Sequence, residues 1–481
     1  MLRKLFSDTV LYGLGNMVPR FLNFLLFPLH TSIFYPAEYG VYTYLMSIVA
    51  FVNIVYSFGM ETAYFRYATK PGANPEKVFN VAQTVVVGVS ALFSIIIIFA
   101  APVLAPALGA EQKVTFIHWL TAIMFIDNIV AIPFARLRLE RKPLRFALFK
   151  IANVVLLVAL NLYFLKVVYT PVFGIGFVFL ANLVANATYL LFFAGMLSKW
   201  RPVFDHEQTP VMVRYAYPVM LTGLAGMTNE FFSRVSLEKW LPDNFYPMQT
   251  SAYALGVFGA CYKFSVFMSL VVQAFRFAAE PFFFSHASDK KSPQLFARVN
   301  HYFIIVCCFI LVAIGINLDI VKYLLRQEAY WDGMAIVPPL LLGYLLLGVY
   351  YNLTIWFKLT DKTYAGTVIT VTGAVLTVAL NYWLIPLFGY LGSAWVTAAV
   401  YGFMMLACYA WGQRAYPIPY RWLAGTLYIG GSMALVLAVN EYVISGSAEA
   451  IMARAGILAA WLVVVFLLEY KGLVRKPASI S

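Results

Sequence analysis

The hydrophobic residues of this chain fall into long apolar runs that short polar segments separate. About 14 of these runs reach spanning length, since a helix needs roughly 20 apolar residues to cross a bilayer. Long runs without strict alternation are typical of helices rather than strands. We therefore predict an all-α, polytopic membrane protein with about 14 transmembrane helices. The approximate limits are 9–34, 39–65, 78–106, 114–135, 146–166, 171–197, 213–238, 251–283, 296–318, 334–357, 364–386, 391–411, 421–441 and 450–470.

The amino-acid composition supports this class of protein and limits the kinds of partner that the chain can bind. Hydrophobic residues make up 62% of the chain and charged residues 11%, whereas a soluble domain has about 25% charged residues. The net charge of +13 could indicate nucleic acid binding, but the basic residues are scattered through short loops. The predicted partner is therefore the lipid bilayer and not nucleic acid. The four cysteines lie inside apolar runs without disulfide or zinc spacing, so no metal site is predicted.

Basic residues predict the orientation in the membrane. With a cytoplasmic N-terminus, 23 of the 34 Lys and Arg residues fall on inner segments, 6 on outer segments and the remaining 5 inside spans. Such an excess is the positive-inside pattern of membrane proteins. Because the number of spans is even, both termini are predicted to be cytoplasmic.

An internal repeat divides the chain into two lobes. The tetrapeptide VALN occurs at Val158–Asn161 and again at Val378–Asn381, an offset of 220. Gly40 and Gly256 occupy similar tetrapeptides, YGVY and LGVF, at an offset of 216. Six spans per repeat is an even number, so the lobes run parallel and a site is expected between them. The predicted domains are an N-lobe (1–198, spans 1–6), a cytoplasmic linker (199–213), a C-lobe (214–412, spans 7–12) and two additional spans with a cytoplasmic tail (413–481).

Two related apolar runs carry polar residues at bilayer depth and organise the rest of the chain. The first, Leu11 to Phe34, holds Arg20 near its middle, with Asn16 and Asn23 on the same helical face. An arginine at this depth costs at least ~2.5 kcal/mol of insertion free energy, so it should face protein or a wet cavity. A related run, Tyr215 to Trp240, recurs about 200 residues later. We predict that these two helices face each other across a polar path through the membrane.

Intramembrane polar residues indicate functional sites by default, and spans 1, 2, 7 and 8 carry most of them. The predicted cationic substrate site consists of Arg20, Arg234, Lys263 and Arg276. The predicted polar lining of the cavity consists of Asn16, Asn23, Asn53, Asn229 and Gln273. The candidate ion-coupling carboxylates are Glu61, Glu230 and Glu280. A cavity with four cations attracts anions, and a diphosphate group needs several cationic partners once it leaves water.

Structural alternatives stay open for several of these residues. The pairs Glu230–Arg234 and Arg276–Glu280 are spaced to neutralise each other within one helix. Arg20 alternatively serves as a structural partner of a glutamate in a neighbouring span. Asp127 and Asn128, which are isolated in the fourth span, fit a satisfied buried pair as well as an ion site.

The sequence carries no enzymatic signature. No loop exceeds roughly 20 residues, and neither a zinc-protease motif, a phosphate-binding loop nor a nucleophile elbow is present. No catalytic residue and no cofactor are predicted. Without a nucleotide site, uphill work must draw on an ion gradient, of H⁺ or Na⁺, or on the membrane potential.

Three stretches carry a family signature: SDTVLYGLGNMVPRFLNFLLFPLHTSIF near the start, YPAEYGVYTYL directly after it, and GMETAYFRYA from Gly59 to Ala68. With the layout of six, six and two spans, they resemble the Wzx-type polysaccharide flippases of the multidrug/oligosaccharidyl-lipid/polysaccharide exporter superfamily. The resemblance covers nearly the whole chain. It implies a bacterial inner-membrane flippase that moves undecaprenyl-diphosphate-linked oligosaccharide, a repeat unit of O-antigen, capsule or exopolysaccharide, by alternating access. It also implies polysaccharide assembly proteins as partners.

Three other functions remain to be weighed. A multidrug cation antiporter of the same superfamily would share the fold, but such proteins use an acidic site in the N-lobe, and the first span has only Asp8 at its mouth. A lipid II flippase shares the layout of 14 spans but usually carries more arginines in its first spans. An integral-membrane polymerase generally needs a larger extramembrane portion than these short loops provide.

Overall fold

The computed structural model of the chain describes residues 13, 15, 17–109, 114–286, 292–442 and 448–474. Every regular element in these ranges is a helix, and they contain no strand. The prediction of an all-α fold is confirmed.

The first half of the chain forms the helices of the N-lobe. They are α1 (residues 17–25), α2 (Phe27–Ile33), α3 (Pro36–Ser57), α4 (Met60–Ala68), α5 (Pro75–Ala107), α6 (Val114–Ile129), α7 (Ala131–Leu139), α8 (Pro143–Tyr163, continued by a π-helical turn, Phe164–Val168), α9 (Gly176–Phe192) and α10 (Ala194–Leu197).

The second half forms the C-lobe and the appended helices. The elements are α11 (Gln208–Trp240), α12 (Ser251–Ser285), α13 (Ser292–Gly315), α14 (Leu318–Val321), 3₁₀ turns at Lys322–Leu324 and Glu328–Ile336, α15 (Val337–Leu353), α16 (Ile355–Leu359), α17 (Tyr364–Ala415), α18 (Trp422–Tyr442) and α19 (Ala448–Val474).

Ten helical segments among the described residues are long and apolar enough to cross a membrane, which makes this a multi-pass membrane protein. The predicted number of 14 spans remains a prediction. Helix α11 is not among the ten, although its 33 residues would reach about 50 Å. The described residues of the first apolar run are not among them either. These are the two runs that were predicted to face each other across a polar path through the membrane.

Helix α17 is a hairpin of two antiparallel helices. As a straight helix its 52 residues would reach about 78 Å, more than twice the bilayer core. The chain instead turns at Gly389, whose φ of 56° is open to glycine at little cost. Oγ of Ser393 donates a 2.7 Å hydrogen bond to Oδ1 of Asn381, which in a straight helix would lie about 18 Å away. The turn falls between the predicted runs 364–386 and 391–411.

The two lobes meet where α3 crosses α12. A Cβ on Gly40 would lie 1.8 Å from the carbonyl oxygen of Ala252, and a Cβ on Gly256 would lie 1.8 Å from that of Pro36. Only glycine allows two backbones to approach so closely. The repeat aligns these same two glycines, so equivalent positions of the two lobes face each other. The crossing bounds the space between the lobes at the end predicted to be periplasmic.

The linker between the lobes is shorter than predicted. Helix α11 begins at Gln208, so the predicted linker of 199–213 includes the first turns of that helix. The remaining segment lies along α5, where Nζ of Lys77 is 2.6 Å from Oδ2 of Asp205 and the backbone N–H of Val203 donates to Oγ1 of Thr84. The linker therefore packs on the N-lobe.

Helix α19 is attached to the C-lobe near both of its ends. Only 6% of the residues in its apolar window are buried, so it faces lipid over most of its surface. At one end Arg454 forms an ion pair with Asp319, and at the other Oε1 of Glu469 lies 2.9 Å from Nε2 of His301. These polar contacts hold the last span where apolar packing is sparse.

Candidate functional site

A cavity of about 540 Å³ lies between the lobes. Helices α1, α2, α3, α8 and α9 of the N-lobe and α11, α12 and α15 of the C-lobe line it. It begins just inside the α3–α12 crossing, at Tyr39, Thr43 and Gly259, and extends along α12 as far as Gln273. From Gly259 to Gln273 is about 21 Å of helix, so the cavity reaches deep into the bilayer region.

Three of the four predicted cations line this cavity. Arg20 comes from α1, Arg234 from α11 and Lys263 from α12, so both lobes contribute positive charge. The guanidinium of Arg20 donates a hydrogen bond to Oε1 of Gln273, which joins α1 to α12 across the boundary between the lobes. Nε2 of Gln273 in turn donates to Oγ of Ser269 at 3.1 Å.

The two C-lobe cations are held without a carboxylate partner. Cζ of Arg234 lies 3.9 Å from the ring centroid of Tyr262 and 4.6 Å from that of Phe231, in cation–π contact. Lys263 makes no hydrogen bond or ion pair with any residue that the structure describes, and it faces the repulsive charge of Arg234. An anion between these side chains would relieve that repulsion.

Glu230 is the one carboxylate among the described residues that line the central cavity. No ion pair within 4.0 Å joins it to Arg234 in the described part of the chain, because the guanidinium stacks on Tyr262 instead. The alternative of local neutralisation by the Glu230–Arg234 pair is thus not realised. Three cations against one carboxylate leave the cavity positive.

Arg276 lies in a second cavity of about 310 Å³ on the C-lobe side. Its Cζ is 4.6 Å from the ring centroid of Tyr351, and Glu230 and Asn229 line the same space. Glu230 therefore borders both cavities, whereas the structure separates Arg276 from the other three cations. The side chain of Glu280, a candidate coupling carboxylate and the alternative partner of Arg276, lies outside the described residues.

The predicted polar lining residues are also divided between the central cavity and the interior of the C-lobe. Asn23, Asn53 and Gln273 line the central cavity. Asn229 belongs to the C-lobe interior, where its Nδ2 donates to the carbonyl oxygen of Thr370 at 3.1 Å and its Oδ1 accepts from Oγ1 of Thr377 at 3.0 Å. Asn16 lies outside the described residues.

Glu61 does not reach the central cavity. The helix breaks after α3, where Phe58 and Gly59 both adopt positive φ values, and α4 carries Glu61 to the guanidinium of Arg138. The sequence predicted one continuous span from 39 to 65, which placed Glu61 on the same helical face as Asn53. The break removes that alignment.

Sequence reasoning missed a histidine in the cavity wall. Nε2 of His30 lies 2.9 Å from Oδ1 of Asn161, and both residues line the cavity. Asn161 is the last residue of the first VALN tetrapeptide, and His30 sits inside an apolar run. The repeated tetrapeptide and the histidine in an apolar run are both visible in the sequence, but neither indicates that the side chains of His30 and Asn161 meet.

Aromatic side chains complete the wall. Tyr39, Tyr42, Tyr262 and Tyr344 line the cavity beside the cations. Their rings supply apolar faces, and their hydroxyl groups, with the amide groups of the asparagines, can hydrogen-bond a polar ligand. No group of three or more His, Cys, Asp or Glu residues that could hold a metal ion occurs in the described ranges. The arrangement suits a large, anionic, hydroxyl-rich ligand.

Comparisons with known proteins identify the family of this chain and solved structures of similar fold. The profile of a family described as polysaccharide biosynthesis protein matches residues 32–325. No curated protein sequence matches the chain.

The similar solved structures share the fold at low sequence identity. The lipid II flippase MurJ in an inward closed conformation has a TM-score of 0.76 at 12% identity, over 97% of this chain and 100% of that chain. A multidrug resistance MATE family transporter of the MOP superfamily has a TM-score of 0.63 in an inward-facing conformation, at 14% identity over 91% of this chain and 96% of that chain. The outward-facing conformation of such a transporter gives 0.53, with the same identity and coverage.

Proposed function

This chain belongs to the family of polysaccharide biosynthesis proteins, and from that premise we propose that it is a lipid-linked oligosaccharide flippase of the Wzx type. Its substrate is an oligosaccharide on an undecaprenyl diphosphate carrier. It moves this substrate from the cytoplasmic to the periplasmic leaflet of the bacterial inner membrane by alternating access.

The positive cavity between the lobes is the observation that supports this proposal. A diphosphate that leaves water needs charge-assisted hydrogen bonds from several cations. Arg20, Arg234 and Lys263 surround one space and face a single carboxylate, Glu230. A multidrug cation antiporter would need the opposite balance of charge at this depth.

The size and the wall of the cavity fit the sugar part of the substrate. Its volume of about 540 Å³ lies in the usual range for small-ligand sites, roughly 300–1,000 Å³. Tyrosine and asparagine side chains beside the cations can accept and donate hydrogen bonds to sugar hydroxyl groups. The diphosphate would bind the cations while the sugars occupy the polar wall.

Alternating access requires that the two ends of the cavity open in turn. The α3–α12 crossing closes one end through direct backbone contact at Gly40 and Gly256. The Arg20–Gln273 hydrogen bond joins the lobes at the other end of the cavity lining. A diphosphate competing for Arg20 would release this bond, which couples substrate binding to the separation of α1 from α12.

Transport is coupled to an ion gradient or to the membrane potential. Among the carboxylates expected to couple, Glu230 borders both cavities and Glu61 is paired with Arg138. A carboxylate that also neutralises part of the cationic site would couple poorly, since each change in its protonation would change the positive charge that holds the diphosphate.

Flipping by purified protein in proteoliposomes tests the function. We expect a fluorescent undecaprenyl-diphosphate oligosaccharide to become accessible to an impermeant glycosidase on the opposite face, faster than in protein-free vesicles. An unlabelled diphosphate-linked lipid should compete, and an organic cation dye should neither compete nor be transported. Lys199→Ala, which removes an exposed linker cation, should flip normally. Transport of the dye without flipping of the lipid would contradict the proposal.

A further inference from the structure

A polar cluster inside the N-lobe plays no part in the proposed substrate site. It contains Asp127 of α6, Lys150 of α8 and Asn186 of α9. We propose that Asp127 binds the proton that drives transport, so that each substrate leaves the cytoplasmic leaflet in exchange for a proton that enters. This inference rests on the proposed flippase function and names its coupling site.

Asp127 ties together three helices of the N-lobe. Nδ2 of Asn186 donates a 2.9 Å hydrogen bond to Oδ1 of Asp127. Oδ1 of Asn186 accepts from Nδ2 of Asn153 at 3.3 Å, and the same Nδ2 donates to the carbonyl oxygen of Ala185 at 2.8 Å. Through these amides the carboxyl group of α6 is linked to α9 and α8.

The opposing charge of Lys150 is close to Asp127 but does not contact it. Within the described residues no ion pair of 4.0 Å or less joins the two side chains, although they interact electrostatically. Nζ of Lys150 lies instead 4.3 Å from the ring centroid of Phe134 and 5.4 Å from that of Tyr189. The ammonium is therefore held by aromatic faces while the carboxyl group keeps one amide donor.

This arrangement gives the N-lobe two states of similar cost. A carboxylate at bilayer depth with a single amide donor has a high free energy, and either a bound proton or contact with Lys150 lowers that free energy. With the proton bound, Lys150 rests on its aromatic partners and α8 is tied to α6 only through the asparagines. Without the proton, the carboxylate draws Lys150 toward α6. Such a choice between two packings is the kind of element that drives a switch.

The neighbours of Asp127 favour a proton over a metal cation. The groups around it are Nδ2 of Asn186 and the ammonium of Lys150, both hydrogen-bond donors. A bound sodium ion would need several oxygen ligands in place of these donors. The remaining ionisable groups nearby are the Tyr189 hydroxyl, which faces Asp127, and Glu61 and Arg138, which act on Lys150.

The cluster is connected to the substrate cavity through the next residue of α6. Nδ2 of Asn128 donates a 2.8 Å hydrogen bond to Oδ1 of Asn53, which lines the cavity. A movement of α6 that follows the charge of Asp127 would therefore reach the cavity wall through Asn128. Unlike Glu230, Asp127 carries its charge outside the substrate site, so a proton can bind without changing the charge that holds the diphosphate.

The test separates concentration of the substrate from simple equilibration. In exchange with one proton, a difference of about one pH unit should enrich the substrate about tenfold in the leaflet on the acidic side. Asp127→Asn keeps the acceptor for Asn186 but cannot exchange a proton. We expect it to equilibrate the substrate between leaflets at a rate within about twofold of the unmodified protein, and to leave the leaflet ratio near one.

Two further variants keep the test sharp. Lys150→Gln removes the cation but keeps a hydrogen-bond donor that the carboxylate can still draw toward α6, so enrichment should persist while its pH dependence moves to higher pH. Glu76→Gln changes an exposed carboxylate that pairs with Arg136 outside the cluster and should behave like the unmodified protein. A merely structural Asp127 would produce neither the loss of enrichment in Asp127→Asn nor the shifted pH dependence in Lys150→Gln.

Each contrary outcome has a distinct meaning. Enrichment by Asp127→Asn equal to that of the unmodified protein would overturn this inference and leave the flippase function standing. The same holds if a sodium gradient, and not a proton gradient, enriches the substrate. An unmodified protein that flips no lipid under any gradient would instead overturn the proposed function.

Discussion

The two lobes share one helical layout but use equivalent positions for different chemistry. Asn161 of the N-lobe faces the central cavity and meets His30. Its repeat equivalent, Asn381, is just as buried as Asn161 but is not among the residues that line the central cavity, and it bonds to Ser393 and to Thr377 within the C-lobe. One asparagine thus borders the central cavity, while the other lies within the packing of its own lobe.

The two lobes also differ in the charged residues of their interiors. At the offset of 220 that aligns Asn161 with Asn381, Asp127 aligns with Leu347 and Lys150 with Thr370. The N-lobe therefore contains a carboxylate and an ammonium where the C-lobe has an apolar and a neutral side chain. In exchange, the C-lobe supplies two of the three cations of the central cavity, and the N-lobe supplies Arg20.

This difference indicates a division of labour. A neutral, satisfied network such as that around Asn381 has one preferred packing and makes the C-lobe a rigid support for the substrate cations. A carboxylate with an uncontacted ammonium nearby has two packings, which suits a lobe that moves. The predictions below test this contrast in order of decreasing effect.

Removal of the C-lobe cations should have the largest effect. Each charge-assisted hydrogen bond to a buried group contributes about 1.5–3 kcal/mol, so Arg234→Ala with Lys263→Ala should slow flipping by about 100-fold or more. The protein should still reach the membrane, since neither residue has an ion-pair partner within 4.0 Å among the residues that the structure describes. Flipping in proteoliposomes, normalised to the amount of folded protein, measures the loss. Wild-type flipping by this double variant would show that the positive wall does not bind the substrate.

Arg20 should show a smaller loss that depends on geometry. Its partner Gln273 is neutral, so Arg20→Ala leaves no unpaired charge and should preserve membrane abundance. We expect flipping to fall about tenfold, and Arg20→Lys to recover part of it because charge survives while the planar fork is lost. Export of surface polysaccharide, with membrane abundance as control, reports both. Poor abundance of Arg20→Ala would indicate a structural role instead.

The paired asparagines should separate stability from transport. Asn381→Ala leaves Ser393 without its acceptor in a buried network and should lower the free energy of unfolding by about 1–3 kcal/mol. Asn161→Ala, at the cavity wall, should lower stability less and slow flipping more. Thermal unfolding in detergent and flipping in proteoliposomes, measured on both variants, give the comparison. Equal effects in both assays would remove the contrast between the lobes.

The fold was largely readable from the sequence because bilayer length and turn residues set the helices. The α17 hairpin illustrates this, since Pro386 and Gly389 mark a turn between two apolar runs. The cavity cations were also readable, because an isolated charge in an apolar run has few environments open to it. Arg20, Arg234 and Lys263 accordingly meet in one cavity.

Contacts between helices were not readable, since they depend on crossing angles and on breaks within helices. The break after Ser57 carries Glu61 away from the cavity to Arg138. Arg276 lies only three residues from Gln273 on α12, yet it lines a different cavity. The partnership of Asp127 with Asn186 joins α6 to α9 across 59 residues of sequence. No local pattern specifies such a pair.

The smallest expected effect concerns the linker that joins the two lobes. Lys77 of α5 and the backbone N–H groups of Gln208 and Glu207 bind the carboxylate of Asp205, which lowers its pKa from 3.8 to about 2. A depressed pKa means that the ion pair stabilises the fold above pH 3.8 and that this contribution is lost as the pH falls toward 2.

Because the pair is exposed to water, Asp205→Asn should lower Tm at neutral pH by no more than about 2 °C, and the difference should vanish in acid. Glu207→Gln, beside it, should change Tm less, since it removes a charge without removing the cap of α11. Addition of salt should shrink the effect of Asp205→Asn at neutral pH. A loss of Tm that persists in acid would show that Asp205 stabilises the fold through its hydrogen bonds to the backbone of Glu207 and Gln208, and not through the ion pair with Lys77.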